Sequence, residues 1–384
     1  MRGRRGVMLV LLGCCGLLRC SRSHFDELCQ SGTFESPDAG TCEPVATCTA
    51  GEYESAPPTA NRDRTCAVLT PCGAGEYEST LPTATRDRIC TALTVCTAHE
   101  HESIPPTATR DRVCSTNAEV SAGQLHTCAL DEAGHVTCWG DNSYGQTSVP
   151  ASLGSIVQIS AGQLHTCALD EAGQVICWGE DSHGESTVPA GLGSSVQVSA
   201  GSRRSCALNH AGTVTCWGWN WRDHNTVPAG LGVIVQVSAG GAHTCALDDA
   251  GAVTCWGNST RGMTTVPDGL GPIIQISAGG SHTCAVDDAG QVSCWGYDAE
   301  GQSTVPTGLH SIVQVDAGTY VSCALDDAGH VSCWGDDSVG ESTVPTGLGS
   351  VVQVSAGSRH ACAVDLAGAV TCWGANESGQ STVP

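Results

Sequence analysis

The 384-residue chain carries 25 cysteines, 39 carboxylates and 16 basic residues, every one an arginine, for a formal net charge of −23. So many thiols exceed what a reducing cytosol tolerates and place the chain in an oxidising compartment. From residue 115 onward 25 carboxylates face 5 arginines, which argues against nucleic acid and anionic lipid surfaces as partners.

The chain opens on a secretion signal: Arg2, Arg4 and Arg5 precede an apolar run from Val7 to Leu18, and Ser21 and Ser23 supply small residues before His24. Residues 1–23 are therefore expected to be a cleaved signal peptide, because about 12 apolar residues fall short of the roughly 20 that span a bilayer. No later segment does better, and no membrane span is expected. Leu11-Leu12-Gly13-Cys14 also resembles a bacterial lipoprotein box, an alternative in which Cys14 carries a lipid anchor.

Next comes a cysteine-rich region, residues 24–116. Cysteines at 48, 66, 72, 90, 96 and 114 alternate separations of 18 and 6, a 24-residue module in three copies, with a shorter forerunner between Cys29 and Cys42. Few large apolar residues are present, so disulfides must replace a hydrophobic core. Eight cysteines leave many connectivities open. The simplest that obeys the period joins Cys29 to Cys42, Cys48 to Cys66, Cys72 to Cys90 and Cys96 to Cys114. The wording CTAGEYESAPPTANRDRTC, with Gly-x-Tyr after the first Cys and an Asp shortly before the next, resembles the cysteine-rich repeats of tumour necrosis factor and ephrin receptors. The third copy departs from it at His99 and His101, where the second has Gly75 and Tyr77.

From residue 117 a second repeat takes over. An Ala-Gly pair recurs at Gly123, Gly162, Gly201, Gly240, Gly279, Gly318 and Gly357, 39 residues apart each time. Each copy reads approximately VVQVSAG, three variable residues, TCALDDAG, VTCWG, a variable loop and STVP, which gives three or four short strands punctuated by Gly, Asp and Pro. One such sheet cannot bury both faces, whereas seven set radially can. The expected fold is therefore all-β: a seven-bladed β-propeller over residues 117–384, preceded by the small disulfide-rich region. Seven copies of 39 need 273 residues and 268 are present; the missing five match the connection Ala151–Ser155, so the two ends of the array are expected to meet.

In TCALDEAGHVTCW, Asp131–Gly134 reads as a type I turn followed by a left-handed glycine. Facing Asp131 with His135 sets Leu130 against Val136 and Cys128 against Cys138, at a spacing that a disulfide accepts. The same register pairs Cys167 with Cys177, Cys206 with Cys216, Cys245 with Cys255, Cys284 with Cys294, Cys323 with Cys333 and Cys362 with Cys372, one cross-strand disulfide per blade. Zinc needs convergent ligands at shorter gaps, so no metal is expected here. His126, His165, His243, His282 and His360 share one repeat position, which Arg204 and Val321 fill in the other copies, and track the repeat as structural residues do. Trp139 and its six equivalents are likewise expected to pack the blades.

HTCALDEAGHVTCWGDNSYGQTSVP is similar to the regulator of chromosome condensation repeat, and WGDNSYGQTSVP resembles the propeller-type bacterial β-lactamase inhibitor proteins. The resemblance implies a seven-bladed propeller over all of residues 117–384. Chromatin binding and nucleotide exchange on Ran, which it also brings, suit an intracellular protein and not an acidic chain with a signal. The inhibitor resemblance fits a secreted binder.

Strand direction alternates, so the loops after Ala-Gly and after Trp-Gly emerge on one face and the DDAG turns on the other. Between copies the turn face repeats nearly verbatim while the loop face varies, as a recognition surface does. The third copy departs most: Arg203 and Arg204 follow its Ala-Gly pair, and Trp219, Trp221, Arg222 and His224 stand in its second loop. Trp and Arg are enriched at interface hot spots. This blade, with Tyr144, Tyr297, Tyr320, Arg261 and Arg359 around the ring, is the candidate surface for an extracellular protein or glycan; the competing view is a decayed repeat that filled a gap with aromatics.

Asn258 and Asn376 head Asn-x-Ser/Thr sequons in one variable loop, where they are expected to be exposed and, in a eukaryotic host, open to glycosylation. Acidic loops such as Asp336-Asp337-Ser338 lack the alternating ligands of a calcium loop. No catalytic set or phosphate-cradling loop stands out. The expected function is non-enzymatic recognition outside or on the surface of the cell, without cofactor. Inhibition of an extracellular enzyme is the alternative, followed by a nucleotide-exchange regulator and an enzyme with a polar axial pocket.

Overall fold

The computed structural model describes residues 32–36, 41–95, 100–104, 106–116 and 118–384. The expected signal, the anchor residue Cys14, and Cys29 and Cys96 lie outside the described residues. Two units are distinguished: Met1–Leu93 with Ala108–Asp111, and Thr94–Thr107 with Arg112–Pro384.

In the first unit, Glu52–Ala56 pairs antiparallel with Thr65–Val68, and Glu76–Thr80 with Ile89–Ala92. Disulfides Cys48–Cys66 and Cys72–Cys90 close these hairpins, as the period implies, and Cys42 is disulfide-bonded too. Polar links stand where a core would be: Arg64 pairs with Glu54 at 2.6 Å and Arg88 with Glu78 at 2.7 Å. Successive modules are joined by Glu54 N to Ala84 O at 2.7 Å and Glu78 N to Ala108 O at 2.8 Å. Within the second unit, the third copy forms the same hairpin, Glu100–Ile104 against Val113–Thr116.

The repeats from residue 118 form seven three-stranded antiparallel sheets, the blades of the propeller. Blade 1 comprises Glu119–Ala122, His126–Leu130 and Val136–Gly140; blade 3 comprises Ser195–Ala200, Arg204–Asn209 and Val214–Gly218. The hairpin register is the expected one, with Asp131 N bonded to His135 O at 3.0 Å and Cys128 facing Cys138. It arises from the turn, where Asp131 Oδ1 accepts the N–H groups of Ala133 at 2.9 Å and His135 at 2.8 Å. All seven cross-strand disulfides are formed, with Cα atoms 4.0 to 4.1 Å apart.

The first strand of every blade lines a central channel, and three rings of hydrogen bonds tie each blade to the next. In the first ring the residue after each Ala-Gly pair donates to the glycine carbonyl of the next blade, from Gln124 N to Gly162 O at 3.3 Å round to Ser358 N to Gly123 O at 3.1 Å. Blades approach so closely here that a Cβ built on Gly201 would lie 2.7 Å from Gly240 O, which is why glycine holds this position seven times. In the second ring a hydroxyl accepts the neighbouring backbone, as Ser121 Oγ does from Ala161 N at 2.8 Å, and Asp316 substitutes for serine in blade 6. In the third ring a glutamine amide clasps both backbone groups of the next blade in five of the seven blades: Gln197 Oε1 accepts Val237 N at 2.8 Å while its Nε2 donates to Val237 O at 3.1 Å. Gln353 does the same to Val120, at 2.9 and 2.8 Å, and so closes the circle from blade 7 to blade 1.

The apolar core is divided among the blade interfaces. Cys128 and Leu130 pack with Ile156, Ile159, Ala168 and Trp178 between blades 1 and 2, and Val120 and Ala122 meet Cys362 and Val364 at the closure. Each conserved-in-repeat tryptophan reaches back over a blade boundary, Trp178 Nε1 donating to Gln146 O at 2.9 Å and Trp139 Nε1 to Gln380 O at 2.9 Å. The indoles are therefore packing groups, as expected.

Candidate binding site

The site grows out of a repeated contact between the middle strands. His126 Nε2 lies 2.9 Å from Thr166 Oγ1, whose own hydroxyl donates to Gln146 O at 3.0 Å. The hydroxyl must then accept from Nε2–H, which fixes the tautomer and leaves Nδ1 bare; the Nδ1 atoms of His126, His165, His243, His282 and His360 all lack a partner. Burial holds these imidazoles neutral, pushing His126, His243 and His360 down to about 3 and His165 and His282 to about 4. In blade 3 the same role falls to Arg204, whose Nε donates to Thr244 Oγ1 at 3.2 Å and whose Nη2 donates to His243 O. In blade 6 the residue is Val321, and the hydroxyl opposite is replaced by Ala361; both are fully buried. Donor and acceptor have been lost together.

Burial removes two of the expected contact residues from the surface. Arg204 is 0 % exposed and serves the blade 3 to blade 4 contact. His224 is also buried; its carbonyl accepts Trp256 Nε1 at 3.0 Å and its Nε2 bonds Trp219 O. Burial and the nearby Arg204 charge push its imidazole down to about 4. His224 is thus the floor on which Trp219 rests, edge-on with ring centroids 6.1 Å apart.

The other four blade 3 residues come together on the loop face. Trp219 and Trp221 are 38 % and 41 % exposed and stack with centroids 5.9 Å apart and planes 12° apart. Arg203 stands over Trp219 at 5.4 Å and Arg222 over Trp221 at 4.5 Å. The two loops are tied by Trp219 N donating to Arg203 O at 2.9 Å. His183, from the blade 2 loop, adds a ring 5.5 Å from Trp219. Nothing in the sequence singled it out, since its partner is 36 residues away.

Arg261 lies over Tyr297 at 3.9 Å, one blade further on. Both line a bowl of about 1090 Å³ at the channel mouth, together with Tyr320 and Arg359, which lies 3.9 Å from Asp336 and 3.8 Å from Glu341. Tyr144 is exposed on its own loop and is not among the residues lining the bowl. The Asn258 sequon is a correction: its side chain is buried, with Oδ1 accepting Thr260 N at 3.0 Å, and is not presented to solvent. Asn376 is exposed.

The channel encloses a second cavity of about 880 Å³, lined by the glutamine and serine rings. Two carboxyls there were missed in the sequence. Glu119 replaces glutamine in blade 1, where it accepts Ile159 N at 2.9 Å and burial pushes it up to about 8. Asp316 replaces serine in blade 6, where burial raises it against hydrogen bonds from Ala356 N, Ser277 Oγ and Ser355 Oγ. Each was visible as the odd residue of a column that repeats every 39 positions. Among the described residues no group of three or more His, Cys, Asp or Glu is placed to hold a metal, and no helix is long and apolar enough to cross a membrane.

The fold is a closed, disulfide-stapled propeller with a nearly repeating turn face and an aromatic, variable loop face. The family model for the regulator of chromosome condensation (RCC1) repeat matches residues 118–146, 156–185, 234–262, 273–302, 312–341 and 351–380, leaving the third blade outside the matched ranges. Six of the seven blades thus carry repeats of this type.

Among solved structures it is similar to the entire ectodomain of the Physcomitrella patens receptor kinase CR4, with 27% identity, TM-score 0.58, and 67% of this chain and 72% of that chain covered. The ectodomain of the Arabidopsis thaliana receptor kinase ACR4 is similar as well, with 26% identity, TM-score 0.57, and 68% and 96% covered. Prp20p of Saccharomyces cerevisiae, at 20% identity, TM-score 0.56, and 68% and 83% covered, shares the fold. No curated protein matches the chain. Receptor ectodomains among the neighbours, with abundant disulfides, point to an extracellular domain with a binding role.

Proposed function

We propose that this protein is a secreted or surface-held recognition protein without catalytic activity, which grips a macromolecular partner with the loop face of its propeller and uses the cysteine-rich modules as a spacer. The observation that carries this reading is the Trp219–Trp221 pair, exposed and stacked at the rim of a disulfide-stapled scaffold. Stacked, partly exposed tryptophans flanked by guanidinium groups supply large contact area at small entropic cost. The channel side supports the same reading, because the glutamine amides and most of the serine hydroxyls there are engaged in holding blades together.

The test uses the mature chain with its disulfides intact, immobilised and exposed to the host's surface extract and culture medium. Trp219→Ala with Trp221→Ala is expected to weaken capture of the retained partner at least tenfold without changing the melting temperature. Equal capture by the variant refutes the site. Retrieval of a soluble enzyme whose activity falls on binding would instead establish the inhibitor reading.

A further inference from the structure

The propeller has five arginines against 25 carboxylates from residue 115 onward, so cations should be paired. Two are accounted for: Arg204 is buried between blades, and Arg359 lies between Asp336 and Glu341. Arg203, Arg222 and Arg261 have no ion pair among the described residues, and all three stand over aromatic rings instead. They form one arc. Arg203 leads through the tryptophan stack to Arg222, whose Nη1 lies 3.4 Å from Asn258 Oδ1 and 3.5 Å from Thr260 Oγ1; Arg261 follows Thr260 directly and reaches Tyr297 in blade 5.

The backbone marks the same arc. Arg222 and Arg261 occupy one repeat position, 39 residues apart, at φ of 55° and 69°, and Asp223 beside them is at 59°. Of the four non-glycine residues with positive φ among those described, three therefore sit here. Such conformations disfavour side chains other than glycine.

We propose that this arc binds an acidic peptide segment of a protein partner, whose carboxylates complete the missing ion pairs of Arg203, Arg222 and Arg261; the inference rests on the recognition reading above. Guanidinium groups held over aromatic rings turn N–H edges outward that match carboxylates two at a time, Arg222 having its Nη1 engaged by Asn258 and Thr260. A glycan is served less well, because a sugar needs an open ring face, and the rings of Trp219 and Trp221 already meet each other, Arg203, Arg222 and His183. The overall negative charge does not prevent binding, since at physiological ionic strength charges farther than about 8 Å are largely screened.

The experiment titrates the mature, disulfide-intact chain with a deca-glutamate peptide, a deca-lysine peptide and a sulfated heparin-derived oligosaccharide, following tryptophan fluorescence and calorimetry. The glutamate peptide is expected to bind, and Arg203→Ala with Arg222→Ala to weaken it at least tenfold while the melting temperature holds. Arg86→Ala, which removes the same charge from a cysteine-rich module, is expected to leave binding unchanged. No binding of the glutamate peptide, equal binding by the double-arginine variant, or tighter binding of the oligosaccharide or lysine peptide would overturn the proposal. The two readings fail separately: loss of the natural partner in the tryptophan variant alone, with no glutamate binding, retains the site and rejects the acidic ligand. Glutamate binding that depends on the arginines, with the natural partner retained by the tryptophan variant, does the reverse.

Discussion

Glu119→Gln should make the propeller more stable, and by an amount that grows with pH. Six blades carry glutamine at this position and five of those amides both accept from and donate to the next blade, as Gln236 does to Ile276. Glu119 accepts Ile159 N without the matching donation to the Ile159 carbonyl that the glutamines make in their own rings. Desolvation in the channel wall pushes this half-buried carboxyl up to about 8 from 4.5. A group raised in this way stabilises the fold fully below its unfolded value and loses that contribution as pH rises through the folded one. Between pH 4.5 and 7 the penalty reaches about 3 kcal/mol. The new amide adds about 1 kcal/mol of hydrogen bonding at any pH.

Thermal unfolding of the disulfide-intact chain should therefore place Glu119→Gln about 10 °C above wild type at pH 7 and only a few degrees above it at pH 4.5. Other titrating groups are common to both proteins and cancel in the difference. A gap that stays constant with pH, or a destabilised glutamine variant, would show that the ring does not work as described.

Acid should open the blade interfaces by the opposite sign. Unfolded imidazoles titrate near 6.5 and the five buried ones at about 3 to 4, so the unfolded chain binds more protons between those values and stability falls as pH drops through that window. By pH 5.5 each imidazole removes about 1 kcal/mol, which denaturant titrations at pH 7.5 and 5.5 would reveal. Val321→His alone should destabilise by about 1–3 kcal/mol by burying an imidazole against Ala361, and adding Ala361→Thr should recover at least about 1 kcal/mol in a double-mutant cycle. Gly201→Ala should cost about 3 kcal/mol or more in urea unfolding, because its Cβ would meet Gly240 O at 2.7 Å and the closed ring cannot yield.

Much of this architecture was legible in residue spacing. A period of 39 without insertion, a turn that pins its own register and a cysteine on each arm specify hairpins, disulfides and blade number through contacts within one repeat. Tyr297 and Arg261, a blade apart, were recognised as surface residues but not as a pair. Arg204 and His224 were misplaced because their loops look exposed, and only the neighbouring blade shows that Thr244 and Trp256 claim them. Asn258 failed as an exposed sequon for a similar reason: its side chain turns inward to cap its own loop at Thr260.

Local chemistry thus determined the strands, their staples and the number of blades, since each depends on residues close in the chain. The tertiary structure alone decided which loop residues face solvent, which carboxyl sits in the channel and which arginines lack a partner. Those properties belong to the contact of one repeat with the next, about 40 residues away, and a chain read singly carries no record of that contact.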